Sequence, residues 1–314
     1  MNLSGELIAI LTTLCWSLGI FPFTEAAKRI GTSPLNQYRL LLAWIIISII
    51  LFFFNDLTLF QLFEKPKTYH FIFLGLSGII GFSIGDYCSF TSFKLLGPKL
   101  GSLYTTFAPG AALLVGYIAL NETVNFIGIM GILITVAGVI WLTFSKKDSV
   151  EASKIGYKRD FKGILLGISG ALCQGTGLVL SKYGMDYYSE KLPTMHAVWI
   201  RLLFAFSAAF FVTIITGKFK SNSKPIFTNE QKVLPLLFMG TVLGPVMGVT
   251  LSLYAIQKLE VAVAQTIFAL LPLFVLPISL IVYKEKITIQ SVFACLIAFS
   301  GVLLLIWRNK IGGF

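Results

Sequence analysis

Long apolar runs separated by short polar breaks fill almost the whole chain. A helix needs roughly 20 apolar residues to cross the hydrocarbon core of a bilayer, and ten stretches of about that length can be marked. We number them segments 1 to 10, at 4–24, 34–54, 69–93, 99–120, 125–145, 161–183, 193–216, 233–257, 260–283 and 288–308. The pattern predicts an all-α integral membrane protein with ten transmembrane helices.

The second half of the chain repeats the first. At an offset of 163 residues, Pro109 aligns with Pro272 and Glu122 with Glu285. Further pairs in this register are Gly81 and Gly244, Gly85 and Gly248, Ser89 and Ser252, Leu96 and Leu259, and Gly138 and Gly301. We therefore divide the chain into a first repeat at 1–147, a polar basic linker at 148–160, a second repeat at 161–308 and a tail at 309–314. Because each repeat holds five segments, an odd number, the second repeat must be inverted in the membrane.

Composition and charge agree with a membrane protein. Hydrophobic residues make up 56% of the chain, charged residues 12%, and the mean hydropathy is +0.84, whereas a soluble domain is about one quarter charged. The net charge of +11 does not indicate nucleic-acid binding, because the basic residues lie in loops between segments. Seven of these basic residues lie on the side of the membrane that carries both termini, and sixteen lie on the opposite side. Taken alone, the positive-inside rule would place both termini outside.

Asp86 is a carboxylate near the middle of segment 3. An ionised Asp at that depth costs roughly 2.5–3.5 kcal/mol, so it should face a cavity, pair with a partner or be protonated. One hypothesis is a structural bond to a backbone group or to Arg39 or Arg201. The other is a substrate or proton-coupling role, which suits a charge whose repeat equivalent is Val249. Under the second hypothesis, Asp86→Asn leaves folding intact and abolishes transport.

Other polar residues inside the segments carry two interpretations each. Arg39 and Arg201 lie about a turn and a half into segments 2 and 7, either in structural bonds or attracting an anionic substrate group. Gln174, with the repeat equivalent Trp16, suits a substrate contact or an interhelical hydrogen bond. The remaining candidates near the expected cavity are Tyr104, Tyr254 and Gln265, for which a lipid-facing or packing role is the competing explanation.

Each repeat contains one proline and one glutamate at equivalent positions, and both are expected to act on the helix backbone. Pro109 and Pro272 lie in the middle of segments 4 and 9, where each removes a backbone hydrogen bond and can kink its helix. Glu122 and Glu285 follow those segments in tight turns, where a carboxylate can cap a helix N terminus. We predict helix kinks for the prolines and helix caps for the glutamates.

The sequence offers little for an enzyme. It contains two histidines, both near segment ends, and its four cysteines lie inside segments without metal-ligand spacing. We therefore predict no catalytic residues, no metal site and no cofactor. A channel is an alternative, but pores carry rings of repeated polar residues, and here the two repeats differ at their most polar positions.

The repeat resembles the drug/metabolite transporter superfamily, and in particular its ten-helix members built from two EamA domains. The residues that carry the resemblance are 88–96 and 253–259, Pro109 to Glu122 and Pro272 to Glu285, and Arg39 and Arg201. The resemblance implies a cavity lined by segments 1, 3, 4, 6, 8 and 9, with segments 5 and 10 outside it. It also implies cytoplasmic termini, against the loop charge count; we follow the resemblance.

These observations favour a multi-pass secondary transporter in a plasma membrane, such as a bacterial inner membrane. We expect it to export a small organic metabolite, an amino acid or related solute, by alternating access. Efflux of drugs or lipophilic cations is the alternative, followed by a channel. The expected partners are the substrate, the lipid bilayer and protons as a coupling ion, in a monomer or homodimer.

Overall fold

The computed structural model describes residues 4–54, 58–143, 160–186, 192–228, 232–283 and 288–308, and helices dominate them. The α-helices are Gly5–Ile30, Thr32–Phe54, Leu59–Glu64, Thr68–Gly78, Tyr87–Leu103, Ala108–Leu120, Phe126–Thr143, Phe161–Asp186, Thr194–Ile215, Phe219–Thr228, Leu234–Thr241, Val249–Ile256, Val261–Phe268, Leu271–Tyr283 and Ile289–Ile306. No described residue lies in a β-strand. A helix satisfies its own backbone hydrogen bonds, as a chain in hydrocarbon requires.

Seven helices are long and apolar enough to cross a membrane, and they correspond to segments 1, 2, 3, 6, 7, 8 and 9. Shorter apolar helices correspond to segments 4, 5 and 10, namely Tyr104–Leu120, Phe126–Gly138 and Val292–Ile306. The predicted all-α membrane architecture is confirmed, while the count of ten crossings stays a prediction. Segments 3 and 4 are separated at Gly97, whose φ of 86° suits glycine, and Pro98 begins the next helix.

Segments 5 and 10, which are repeat equivalents, pack against each other along their length. Thr135 Oγ1 donates to the carbonyl oxygen of Ala298 at 3.3 Å, and these two positions are equivalent at the offset of 163. Towards one end, Asn125 Nδ2 donates to the carbonyl oxygen of Arg308 at 3.2 Å. Residue numbers therefore rise along one helix as they fall along the other, so the equivalent helices run antiparallel.

Segments 2 and 7 repeat this arrangement. The rings of Trp44 and Phe206, equivalent at an offset of 162, lie 5.1 Å apart. One turn later on segment 2 and about two turns earlier on segment 7, Trp199 Nε1 donates to Ser48 Oγ at 2.9 Å. These helices are again antiparallel and cross at their own equivalent positions. Two such crossings are the geometry that an inverted repeat produces.

The helix irregularities are also duplicated. π-Helical stretches at Ile79–Asp86 and Val242–Gly248 interrupt segments 3 and 8 at equivalent positions. In segment 4, a 3-10 turn at Tyr104–Phe107 precedes the helix that contains Pro109 in its first turn. In segment 9, turn residues 269–270 precede the helix that begins at Leu271 and contains Pro272. Each proline thus follows an interruption of its helix, where its missing N–H costs little.

Three sequence predictions fall wholly or largely outside the described residues. They are the linker at 148–160, of which only Asp160 is described, the tail at 309–314, and Glu285.

Candidate functional site

A cavity lies between the two repeats and encloses about 780 Å³ of space, including the solvent at its mouth. Its lining residues come from segments 1, 3, 4, 6, 8 and 9, with one arginine each from segments 2 and 7. Most of the wall is apolar, and the polar lining residues are Arg39, Asp86, Ser89, Thr105, Gln174, Arg201, Ser252 and Gln265. Segments 5 and 10 contribute no lining residue.

Asp86 ends the π-helical stretch of segment 3 and points into the cavity wall. Its carboxylate pairs with the guanidinium of Arg39 and accepts a hydrogen bond from Gln174 Nε2 at 2.9 Å. The side chain of Asp86 is 13% exposed. The carboxylate therefore both faces the cavity and forms an arginine bond, so the two hypotheses drawn from the sequence are not exclusive.

Arg39 is 2% exposed and has several partners besides Asp86. Its Nε and Nη2 donate to Asn36 Oδ1 at 3.1 and 2.8 Å, and its guanidinium carbon lies 4.6 Å from the centre of the Phe90 ring. Asn36 in turn donates through Nδ2 to the carbonyl oxygens of Phe82 and Ser83, within the π-helical stretch. Asn36 thus joins the arginine to the irregular backbone that positions Asp86.

Arg201 lies on segment 7 and is 1% exposed. Its Nε donates to Ser77 Oγ at 2.9 Å, and its guanidinium carbon lies 4.3 Å from the centre of the Phe82 ring. Its Nη1 has no hydrogen-bond partner among the described residues. The backbones of segments 3 and 7 lie very close here, because a Cβ on Gly78 would collide with the carbonyl oxygen of Arg201.

Two further predicted residues line the cavity. The Trp16 ring meets the Phe268 ring edge-on at 5.0 Å, and Gln265 Nε2 donates to the carbonyl oxygen of Gln174 at 3.5 Å. The cavity therefore brings together Trp16, Arg39, Asp86, Gln174, Arg201 and Gln265.

Tyr104 and Tyr254 do not line the cavity. Tyr104 begins the 3-10 turn and packs against segment 6, where a Cβ on Gly167 would lie 2.8 Å from its ring. Tyr254 is 40% exposed, and it follows the cavity-lining Ser252 by two residues, which turns it to the opposite face of segment 8. Tyr104 is thus packed between helices, whereas Tyr254 has the exposure of a lipid-facing side chain.

Glu122 meets a helix N terminus, although not that of the following helix. Its Oε2 accepts from the backbone N–H of Val261, the first residue of a helix in segment 9, at 2.7 Å. Its Oε1 lies 2.7 Å from Lys182 Nζ, which also donates to the carbonyl oxygen of Leu259 at 2.7 Å. Nearby, Arg308 Nη2 pairs with Glu260 Oε2 at 2.6 Å. Charged contacts thus join segments 4, 6, 9 and 10 on the side of the termini.

Sequence reasoning missed Asn36, Ser77 and the rings of Phe82 and Phe90. The spacing of Asn36 and Arg39, three residues apart on one helix, was a signal for their bond. The rings carried no signal, because the chain contains 28 phenylalanines and a single ring is not distinguished by type or spacing.

The sequence profile of the EamA-like transporter family matches residues 3–144 and, a second time, 161–307. The search of curated proteins gives no significant match. A solved crystal structure of a protein shares the fold with a TM-score of 0.65, 15% sequence identity and coverage of 98% of both chains.

Proposed function

The chain belongs to the EamA-like transporter family, and we propose that it is a secondary transporter that exports an amino acid or related small metabolite by alternating access. It is a multi-pass membrane protein of the drug/metabolite transporter type. We place it in a plasma membrane with cytoplasmic termini. Asp86, Gln174, Trp16 and Gln265 are proposed to contact the substrate.

The cavity is the observation that carries this proposal. It lies between inverted repeats, which is where transporters of this construction hold their substrates. An apolar wall with a few convergent polar groups is typical of a site for a small organic molecule.

The charges in the wall favour a metabolite over a lipophilic cation. Two arginines and one aspartate line the cavity, so the described wall carries one excess positive charge. A bound cation would meet that charge across a medium of low dielectric constant, where like charges repel strongly. The wall is also asymmetric between the repeats, unlike the polar rings of channels.

Counterflow in proteoliposomes tests the proposal. Vesicles that contain purified protein are loaded with one unlabelled amino acid and diluted into a trace of the same labelled compound. A carrier is expected to accumulate the label transiently above its outside concentration, whereas a channel only equilibrates it. Gln174→Leu is expected to lower this accumulation, and Tyr254→Phe, on the outer face of segment 8, serves as the matched control. Absence of accumulation for every amino acid would overturn the proposed substrate class.

A further inference from the structure

Three charged side chains line the cavity, namely Asp86 and two arginines, and only Arg39 forms an ion pair with Asp86. The charge of Asp86 also acts on Arg201, but from a greater distance. Asp86 pairs with Arg39, whereas no carboxylate in the described part of the chain lies within 4.0 Å of the Arg201 guanidinium. Arg201 is nevertheless 1% exposed, and its Nη1 lacks a described hydrogen-bond partner. One carboxylate cannot neutralise two buried guanidiniums, and the remaining positive charge is costly unless another group compensates it.

The duplication identifies the missing group. Arg201 is the repeat equivalent of Arg39, and the equivalent of Asp86 is Val249, which also lines the cavity. The first repeat therefore carries its own carboxylate beside the arginine, while the second has an apolar side chain at the corresponding place. Val198 likewise stands at the position equivalent to Asn36. Both groups that bind Arg39 are absent from the second repeat.

We propose that Arg201 binds a carboxylate of the transported solute, in the role that Asp86 plays towards Arg39. This inference rests on the proposed function, because it names the chemical class of the substrate of the same cavity. Arg201 Nε donates a hydrogen bond to Ser77 Oγ, and the Phe82 ring covers one face of the guanidinium. These two contacts orient the plane of the guanidinium. On the Nη edge, Nη1 is buried and has no hydrogen-bond partner among the described residues, and arginine binds carboxylates through this edge in a two-point geometry.

The surroundings define the rest of the ligand. A Cβ on Gly81 would lie 3.6 Å from Arg201 Nη2, at van der Waals distance, so glycine at this position keeps a side chain away from the guanidinium. The remaining wall is mainly aromatic and aliphatic, with Ile20, Phe23 and Leu178 among its members. The expected ligand is a small carboxylate with an apolar body, which includes amino acids with apolar side chains.

Ligand-dependent thermal stabilisation of the purified protein tests the inference. Three classes of compound are compared: apolar amino acids, their carboxamides, and the same carboxylates without the amino group. We expect the compounds with a free carboxylate to raise the melting temperature and the carboxamides to leave it unchanged. Arg201→Gln is expected to weaken carboxylate binding by about tenfold or more, and Arg201→Lys to retain part of it.

A second variant tests the inference without removing the arginine. Val249→Asp gives the second repeat the carboxylate that the first possesses, so it should neutralise Arg201 and abolish stabilisation by carboxylates. Val249→Asn, of nearly the same shape but uncharged, should retain it. This comparison stays informative even if Arg201→Gln fails to fold.

The outcomes separate this inference from the proposed function. Stabilisation by carboxamides equal to that by the acids, or an unchanged response in Arg201→Gln, would overturn the role of Arg201 and leave amino-acid transport standing. Stabilisation only by carboxylates without an amino group would support Arg201 and overturn the amino-acid assignment. No response from any class would overturn both.

Discussion

The ion pair between Arg39 and Asp86 gives the sharpest prediction for stability. Asp86→Asn keeps the shape of the side chain and removes its charge. Arg39, at 2% exposure, would then lie against Asn36 and a phenyl ring without a counter-charge. The earlier expectation that Asp86→Asn leaves folding intact therefore changes: we now expect a loss of stability together with the loss of transport.

The size of the effect follows from the burial of the pair. Two unit charges about 4 Å apart attract each other by about 4 kcal/mol at an effective dielectric constant of 20. Breaking a buried pair by removing one partner typically costs about 3–5 kcal/mol, because the remaining charge is uncompensated. We therefore expect Asp86→Asn to lower the free energy of unfolding by about 3–5 kcal/mol. The double variant Arg39→Gln/Asp86→Asn should recover most of that loss, since neither charge remains.

A dye that reacts with exposed thiols can follow unfolding during heating, because Cys88 is buried and Cys15 and Cys173 are partly buried. The wild type, both single variants and the double variant form a double-mutant cycle. A large coupling between the two positions is expected. If Asp86→Asn melts with the wild type, or if the double variant is less stable than both single variants, the assigned partnership is wrong.

Three further outcomes are expected. Glu122→Gln should lower the free energy of unfolding by about 1.5–3 kcal/mol in thermal melts, because its carboxylate binds Lys182 and a backbone N–H. The matched control is Glu25→Gln, which removes one partner of an exposed ion pair and should change the free energy of unfolding little. Gly301→Ala should lower the free energy of unfolding by about 1–3 kcal/mol in the same melts, because its Cβ would lie 2.5 Å from the Thr135 backbone nitrogen. The control Gly110→Ala should be tolerated, because a Cβ there meets nothing within 4 Å. A C-terminal reporter that fluoresces only in the cytoplasm should be bright; a dark reporter would instead support the loop charge count.

The helices were predictable from the sequence, and so were the charged cavity residues, whose burial in a membrane costs the most free energy. Apolar length identifies a membrane helix regardless of its neighbours, and the constant repeat offset relates the two halves. Asp86, Arg39 and Arg201 were recognisable because a charge inside hydrocarbon requires a cavity or a partner. Because a charge inside hydrocarbon costs so much free energy, its presence in an apolar segment marks the residue as one with a specific role.

The partners of those charges were not predictable, because they depend on the rotation of each helix about its axis. Both arginines were possible partners for Asp86, which forms its ion pair with Arg39 and is the last residue of a π-helical stretch. A π-helix adds about one residue to a turn and shifts every later side chain around the axis. Hydrophobic periodicity is too weak in a segment that is apolar on all sides to reveal that shift.

The distribution of bonds between the repeats bears on how they could move under the proposed alternating access. The ion pair between Arg39 and Asp86 lies within the first repeat, so rocking one repeat against the other leaves it intact. Single hydrogen bonds cross the cavity, from Gln174 to Asp86 and from Arg201 to Ser77, and a bond to a charged group contributes about 1.5–3 kcal/mol. The ion pair of Glu122 with Lys182, on the terminal side, also crosses between repeats. Rocking that opens this side would separate the pair, together with the hydrogen bond from the Val261 N–H to Glu122.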